Sequence, residues 1–373
     1  MSEKPDIQQK NEFSGEWYSH SGPENDVVLS TRVRLARNLA DFPFPQKFRA
    51  DDAVRVQTLV FDSFLKTEKA DSYQTVAVAG IDPLSARVLI ERGLMKKSTL
   101  SSPGAGLVMR INGKKANSGL VCSINDTDHV RISCFAPGLD CEEPYENCRD
   151  VDEILQKNLQ FAASYDFGYL TANVKDCGSG MKLSARVHLP ALTFLRQASS
   201  FFESAVQKGI VAEPAFALSV EPGTGSFYQL STMTAGNGSE LEQTANFTAV
   251  LRQAVDNERK GRDLLLQKYT TEITDRVLKS YSVAKYCLML DLREALFIIS
   301  DIKLGKYLGL LKGIDESTLT ALVYRVQEAH LKTALKSAEY EFAFDISRSP
   351  EKQTARLRAL VVQDAFENLQ ILK

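Results

Sequence analysis

The chain has 373 residues, 25% charged and 44% hydrophobic, which is globular composition and excludes a disordered or fibrous protein. Lys plus Arg number 45 against 47 Asp plus Glu, a formal charge of −2, so neither nucleic acid nor an anionic membrane is an expected partner. No run approaches the roughly 18 apolar residues of a spanning helix, residues 1–14 show no apolar signal segment, and six cysteines without CxxC or metal spacing read as reduced thiols in a cytoplasmic protein.

The length suits two units. Residues 1–20 read as a flexible tail. From 21 to 236 short β-type runs mix with amphipathic helices. Strands are predicted at 27–35, 106–111, 120–124, 129–135, 169–172, 187–189, 210–218 and 226–231. Helices are predicted at 52–66, 83–91, 151–164 and 193–208. Neighbouring strands are joined by links too short for a parallel crossover, which predicts an α+β fold: an antiparallel sheet flanked by helices. Near Gly236-Asn237-Gly238 the strand signal fades, and helical periodicity runs through 239–265, 272–279, 290–304, 317–329 and 349–372. Residues 237–373 are therefore expected to form an all-α C-terminal domain.

Three stretches carry chemistry. In Val27 to Arg37 the two-residue period of a strand places Ser30, Arg32 and Arg34 on one face and Thr31, Val33 and Leu35 on the other. Two guanidiniums on one strand face either meet solvent and carboxylates or grip an anion, and their planar donor forks suit polyphosphate. In Ser123 to Ile132 two carboxylates, Asp126 and Asp128, stand beside His129 and Arg131. That arrangement is either a plain turn into a strand, a water-mediated magnesium site, or a general base. In Leu170 to Lys182, Gly178 and Gly180 permit close approach to a ligand, and Lys182 could meet a phosphate. No Walker A pattern occurs, and Cys177 is either a nucleophile or an inert thiol.

Together these stretches resemble the ATP:guanidino phosphotransferases. Ser30-Thr31-Arg32-Val33-Arg34-Leu35-Ala36-Arg37 followed by Phe42-Pro43-Phe44 is similar to that family's opening motif. Asn125 to Arg131 is similar to its N-E-E-D-H-x-R, and Leu170 to Pro190, with His188-Leu189-Pro190, lines up with its L-T-x-C-P-T-N-x-G stretch. The bacterial protein-arginine kinases are the nearest branch, given the missing N-terminal helical domain and Ser300-Asp301-Ile302-Lys303-Leu304-Gly305. The resemblance implies a glutamine-synthetase-like antiparallel sheet, Mg-ATP as donor and a guanidinium as acceptor. In such enzymes positioning and charge neutralisation supply most of the rate. It implies nucleotide binding by Ser30, Thr31, Arg32, Arg34, Arg131 and Lys182. As partners it implies ATP, arginine-containing proteins, a zinc-containing activator protein, a chaperone–protease system and a second copy in a homodimer.

The departures from the family pattern are equally specific. Its catalytic Glu is Thr127, its first Glu is Asp126, its Cys is Asn173, and one clamping Arg is Lys182. Another clamping Arg falls near Glu213. A phosphoarginine-binding R-D-x-x-R-A motif is replaced by Gln353-Thr354-Ala355-Arg356-Leu357-Arg358-Ala359, without the leading Arg-Asp pair. A hydroxyl has no basicity near neutral pH. The expectation is an impaired relative that keeps part of the ATP-phosphate site and acts as a binding or regulatory protein. Asp126 is then the remaining catalytic candidate, with Asp126 and Asp128 as magnesium ligands through water. The alternatives are an active protein-arginine kinase using Asp126 or Asp176 as base, or another phosphotransfer on the same scaffold.

Overall fold

A computed structural model of the protein describes residues 16–49, 51–111, 119–216, 223–236 and 238–372. The first fifteen residues of the expected tail, Asn237 at the expected boundary and the end of the strand expected over 210–218 lie outside the described residues.

Strands β1 (Val28–Arg37), β2 (Tyr73–Ala77), β3 (Gly106–Arg110), β4 (Val121–Ile124), β5 (Val130–Pro137), β6 (Met181–His188), β7 (Ile210–Pro214) and β8 (Phe227–Thr232) form one sheet. Its order is β2-β3-β4-β5-β1-β6-β8-β7, and every pairing is antiparallel. The helices are α1 (Asp52–Leu65), α2 (Pro83–Glu91), α3 (Glu142–Gln156), α4 (Pro190–Phe194), α5 (Ala198–Gln207) and α6 (Glu240–Lys268). They continue with α7 (Thr270–Tyr286), α8 (Leu292–Tyr307), α9 (Glu316–Arg325), α10 (Glu328–Ser337) and α11 (Pro350–Ala365).

Strand β1 runs through the middle of the sheet, and its alternation sorts the two faces. Val33 and Leu35, with Ile132, Cys134, Leu183 and Val187, join the hydrophobic core that α3 (Cys148, Val151, Leu155) and α6 (Phe247, Leu251, Ala254) close from behind. Ser30, Arg32 and Arg34 point to the other face, in register with Arg186, Ser184 and Lys182 of β6. From Ser30 to Leu35 the strand thus turns its odd residues to the core side and its even ones to a polar face, after a register shift between Val28 and Ser30.

The expected helix over 151–164 is instead α3, which starts nine residues earlier. Asp140 accepts hydrogen bonds from the backbone N–H of Glu142 (3.0 Å) and Glu143 (3.2 Å), and so caps that end. The expected helix over 193–208 is two helices, and the strand expected over 187–189 is only the end of β6. The predicted strand over 169–172 reduces to a two-residue pairing of Gly168–Tyr169 with Ala163–Ser164.

Two of the expected limits also change meaning. The helical texture begins where expected, and α6 opens on a capping box formed by Ser239 and Glu242. Yet α6 packs into the sheet's core, so the change in texture at residue 239 precedes the change in core. A second core is built from α7 onward by Val277, Ile299, Ile302, Leu322, Leu357 and Val362.

The tail reading fails at Trp17 and Tyr18, which are 1% and 0% exposed. Trp17 stacks on Phe135 of β5 with ring centroids 4.8 Å apart, and Tyr18 stacks on Tyr324 of α9 at 4.5 Å. An isolated aromatic pair carries no periodicity, so the sequence pattern misses a wedge that joins the sheet to the second core. Truncating Trp17 to Ala is expected to lower unfolding free energy by about 3–5 kcal/mol, measured by urea denaturation.

Candidate functional site

The β4–β5 connection is a tight turn. Asn125 sits at φ 55°, where a short polar side chain is tolerated, and its amide donates to the carbonyls of Ala53 and Gly104, both at 2.8 Å. That anchor presents Asp126, Thr127 and Asp128 at the end of the sheet's polar face. Asp128 is fully buried. Its Oδ1 accepts from Asn38 Nδ2 at 2.9 Å and from the Ala172 backbone N–H at 2.7 Å, while Oδ2 accepts from Arg131 Nε at 3.0 Å. One carboxylate therefore joins the end of β1, the β4–β5 turn and the 170–172 segment.

Asp126 Oδ2 lies 3.2 Å from both Arg131 Nη1 and Lys96 Nζ. Asp176, at the end of a short helical turn, has Oδ2 2.9 Å from Arg34 Nη2, and the pair is 7% and 10% exposed. Each of these three carboxylates is thus bound to an arginine. Asp128 has its oxygens committed to protein donors, so it is a structural anchor with little left for a cation. Among the described residues, no group of three or more His, Cys, Asp or Glu stands together as a metal site.

The row's centre is different. Arg32 donates from Nε to Ser184 Oγ at 3.1 Å and lies over the Phe135 ring at 5.5 Å. Among the described residues no carboxylate lies within ion-pair distance of it. Burial first, then Arg34, Arg186 and Arg131, disfavours its charge. Lys182 is half-buried and its charge is likewise disfavoured, by burial and then by Arg34, with Asp176 and Glu213 opposing. Such a cluster gains when an anion replaces water.

Glu213 is exposed, but its place is defined: it pairs with Gln229, which pairs with Arg186, so it lies on the same sheet face as the arginines. Ser30 is buried on that face. Thr31 is not: it points to the opposite face, where its hydroxyl donates to the Gly138 carbonyl at 2.7 Å and ties β1 to a turn. Arg37, which closes the first motif, also turns away and donates to Asp152 of α3 at 3.0 Å. Gly180 (φ +66°) lets the 177–180 loop pass over β1, since a Cβ there would lie 2.6 Å from the Ala36 carbonyl oxygen.

Thr127 lies in the turn between β4 and β5. Its hydroxyl is 3.4 Å from Asp126 Oδ1 and 3.4 Å from Lys96 Nζ. Asn173 is exposed and its side chain accepts from the Lys175 backbone N–H. Cys177 is held among Thr171 atoms at 3.5 Å. In the helical part, Arg358 is buried and donates to the carbonyls of Val326 and Leu290, both at 2.8 Å, so it ties the C-terminal end of α9 to the segment before α8.

Two site residues escape the sequence reading. Arg186 follows Lys182 and Ser184 at strand spacing, a signal missed because the strand is predicted to begin only at residue 187. Lys96 comes from an irregular segment beside a short 3₁₀ turn and carries no local pattern.

The fold agrees with the comparisons to known proteins. The family model for the ATP:guanido phosphotransferase C-terminal catalytic domain matches residues 55–261. The chain belongs to that family. Within it the chain is protein-arginine-kinase-like: the model of the protein-arginine kinase McsB C-terminal domain matches residues 270–370. The protein-arginine kinase of Syntrophomonas wolfei is 31% identical over 313 residues, 83% of this chain and 86% of that one. The protein-arginine kinase of Bacillus subtilis is 30% identical over 318 residues, 85% and 86% of the two chains. Among solved structures, the duplicated taurocyamine kinase of Schistosoma mansoni superposes with a TM-score of 0.56 at 20% identity. That match covers 69% of this chain and 36% of the duplicated one, and it shows the fold. Among the described residues no helix is long and apolar enough to cross a membrane.

Removing Asp128 takes the acceptor from Arg131 Nε and from the Ala172 N–H and one of two acceptors from Asn38 Nδ2, while Arg131 keeps Asp126. Asp128→Ala is expected to cost about 3–5 kcal/mol of stability in urea unfolding. His129 gives a pH signature. Its Nδ1 accepts from the Leu39 N–H at 2.9 Å and its Nε2 faces the Pro43 carbonyl at 2.9 Å, which fixes the neutral ring. Burial, the leading cause, holds its pKa below 6.5. The unfolded chain therefore binds a proton that the folded protein refuses. The stability contribution is complete above about pH 6.5 and is lost as pH falls from there through the folded pKa. Chemical denaturation between pH 7 and pH 5 is expected to show a shallower decline for His129→Gln than for the wild type.

Proposed function

We propose that this protein is a pseudokinase of the protein-arginine-kinase-like branch: impaired in phosphotransfer, retaining part of the ATP-phosphate site, and acting as a binding or regulatory protein. The observation that carries the reading is the site's missing base. Thr127 stands at that position, and the neighbouring carboxylates Asp126, Asp128 and Asp176 are each ion-paired to an arginine. The competing reading, in which Asp126 or Asp176 takes the proton from a guanidinium, needs a carboxylate free to face substrate. Asp176 is buried against Arg34, and Asp126 holds both Arg131 and Lys96. Single losses of transition-state donors cost roughly 10²–10³ in rate. The changes at Thr127, Asn173, Lys182 and Glu213 together leave little.

What supports a retained phosphate site is Arg32, a guanidinium with no carboxylate within ion-pair range among the described residues, with Lys182 in the next strand. Binding of Mg-ATP is expected to be weak. Ser30, Arg34 and Arg131 border the same face; Arg34 and Arg131 must exchange internal carboxylates for phosphate. With this reading go arginine-containing proteins as the partner class and the cytoplasm as the compartment. The activator protein, the chaperone–protease system and the homodimer implied by the resemblance go with it too.

The decisive assay incubates the purified chain with Mg-ATP and an arginine-rich protein and looks for acid-labile phosphorylation by mass spectrometry. None is expected from the wild type, and detectable product from Thr127→Glu; robust wild-type turnover would sink the reading. Calorimetry is expected to find weak ATP binding that disappears in the Arg32→Ala, Arg34→Ala double variant. No heat from the wild type would mean that these arginines are structural.

A further inference from the structure

Lys96 reaches the β4–β5 turn from a firmly held backbone. Met95 is buried in a small core with Val78, Leu107 and Val121, and the buried Thr99 donates its N–H to the Lys96 carbonyl at 3.1 Å. The half-exposed side chain crosses from there to the turn, with Nζ 3.2 Å from Asp126 Oδ2 and 3.4 Å from Thr127 Oγ1. Both oxygens of Asp126 are thereby engaged. Oδ2 also meets Arg131 Nη1 at 3.2 Å, and Oδ1 accepts from the Thr127 hydroxyl at 3.4 Å. The two cations on Oδ2 differ in kind. Arg131 is buried and is held a second time by Asp128. Lys96 sits on a flexible stem in contact with solvent, and such an ammonium leaves an ion pair at little cost. Asp128 and Asp176 allow no such exchange, because their arginine partners are buried. Of these three carboxylates, only Asp126 has a partner that an incoming cation can displace.

Resting on the proposed partner class of arginine-containing proteins, we infer that Lys96 is a tethered competitor that controls whether a guanidinium reaches Asp126. It determines specificity on the side of the site that bears Thr127. Attached to the chain, it acts at an effective concentration that a free cation must exceed. Its neighbourhood adds to the barrier: burial, then Arg131 and Arg34, disfavours even its own charge, with Asp126 opposing. A guanidinium that arrives while Lys96 is in place therefore meets three cations around one carboxylate. The discrimination works by repulsion, and it falls on cationic side chains and spares neutral ones.

The test is a titration with a matched pair of probes. Isothermal titration of the full chain at fixed ionic strength uses N-acetylarginine amide and its neutral isostere, N-acetylcitrulline amide. Lys96→Met keeps the stem and removes the charge at a half-exposed position, so the fold is retained. This variant is expected to bind the arginine probe about tenfold tighter than the wild type, and the citrulline probe within about threefold of it. Lys96→Arg keeps a tethered cation, and Lys97→Met removes an exposed neighbouring charge. Each is expected to stay within about threefold of the wild type on both probes. The inference is overturned if Lys96→Met gains less than about threefold on the arginine probe, or binds none of it. It is also overturned if Lys96→Arg, Lys97→Met or the citrulline probe shows the same gain. Wild-type phosphotransfer alongside a tightened Lys96→Met sinks the impairment reading alone. No phosphotransfer alongside an unmoved Lys96→Met sinks this inference alone.

Discussion

Asp128 is a carboxylate with no contact to solvent, and burying such a charge is costly unless every lone pair finds a donor. Here the donors come from three places far apart in the chain: Asn38 beyond β1, Arg131 in β5 and the backbone of Ala172. Satisfying one charge fixes the relative placement of all three motif segments. The orientation of Arg131 follows from it, as does the path of the 170–177 segment that brings Asp176 to Arg34. His129, packed flat on Phe48 at 5.2 Å, fastens the same turn to the chain after β1. The polar face of the sheet is therefore held by a carboxylate whose oxygens accept from the protein's own donors.

The charges on that face divide into those already balanced and those left open. Arg34 and Arg131 are balanced from within, by Asp176 and by the Asp126–Asp128 pair. Arg32 is left among like charges. An ion pair shielded from water is costly to exchange for another anion, because the displaced carboxylate must be accommodated elsewhere. In a phosphotransferase fold rate comes from charge placed around the transferred group, so the proposed function turns on which of these charges are already paired.

Much of this is legible in the chain itself. Alternation in β1 separates Arg32 and Arg34 from Val33 and Leu35, and the order of three motifs leads to the family and to an antiparallel sheet flanked by helices. Thr31 and Arg37 are harder, because a motif records which residues recur and not which face each occupies; the structure gives both of them bonds on the core side. Trp17 and Tyr18 read as tail because their partners, Phe135 and Tyr324, are remote in sequence. The start of α3 is hidden because Asp140 supplies the cap from two residues before the helix. Arg186 is missed because the strand that bears it is predicted to begin only at residue 187.

The identity of each group on the site was set by sequence alone: a hydroxyl at 127, an amide at 173, an ammonium at 182 and carboxylates at 176 and 213. Those identities decide which protons can move and which charges exist, since they are properties of the side chains. The tertiary structure alone decided the pairings. That Asp176 meets Arg34 across the sheet, that Asp128 is spent as an anchor, and that Glu213 lies in the row of Arg186 depend on strand order and register. Electrostatic interaction falls with distance and grows on burial, so the sign of a charge was readable in the chain while its effect waited on where the fold put it.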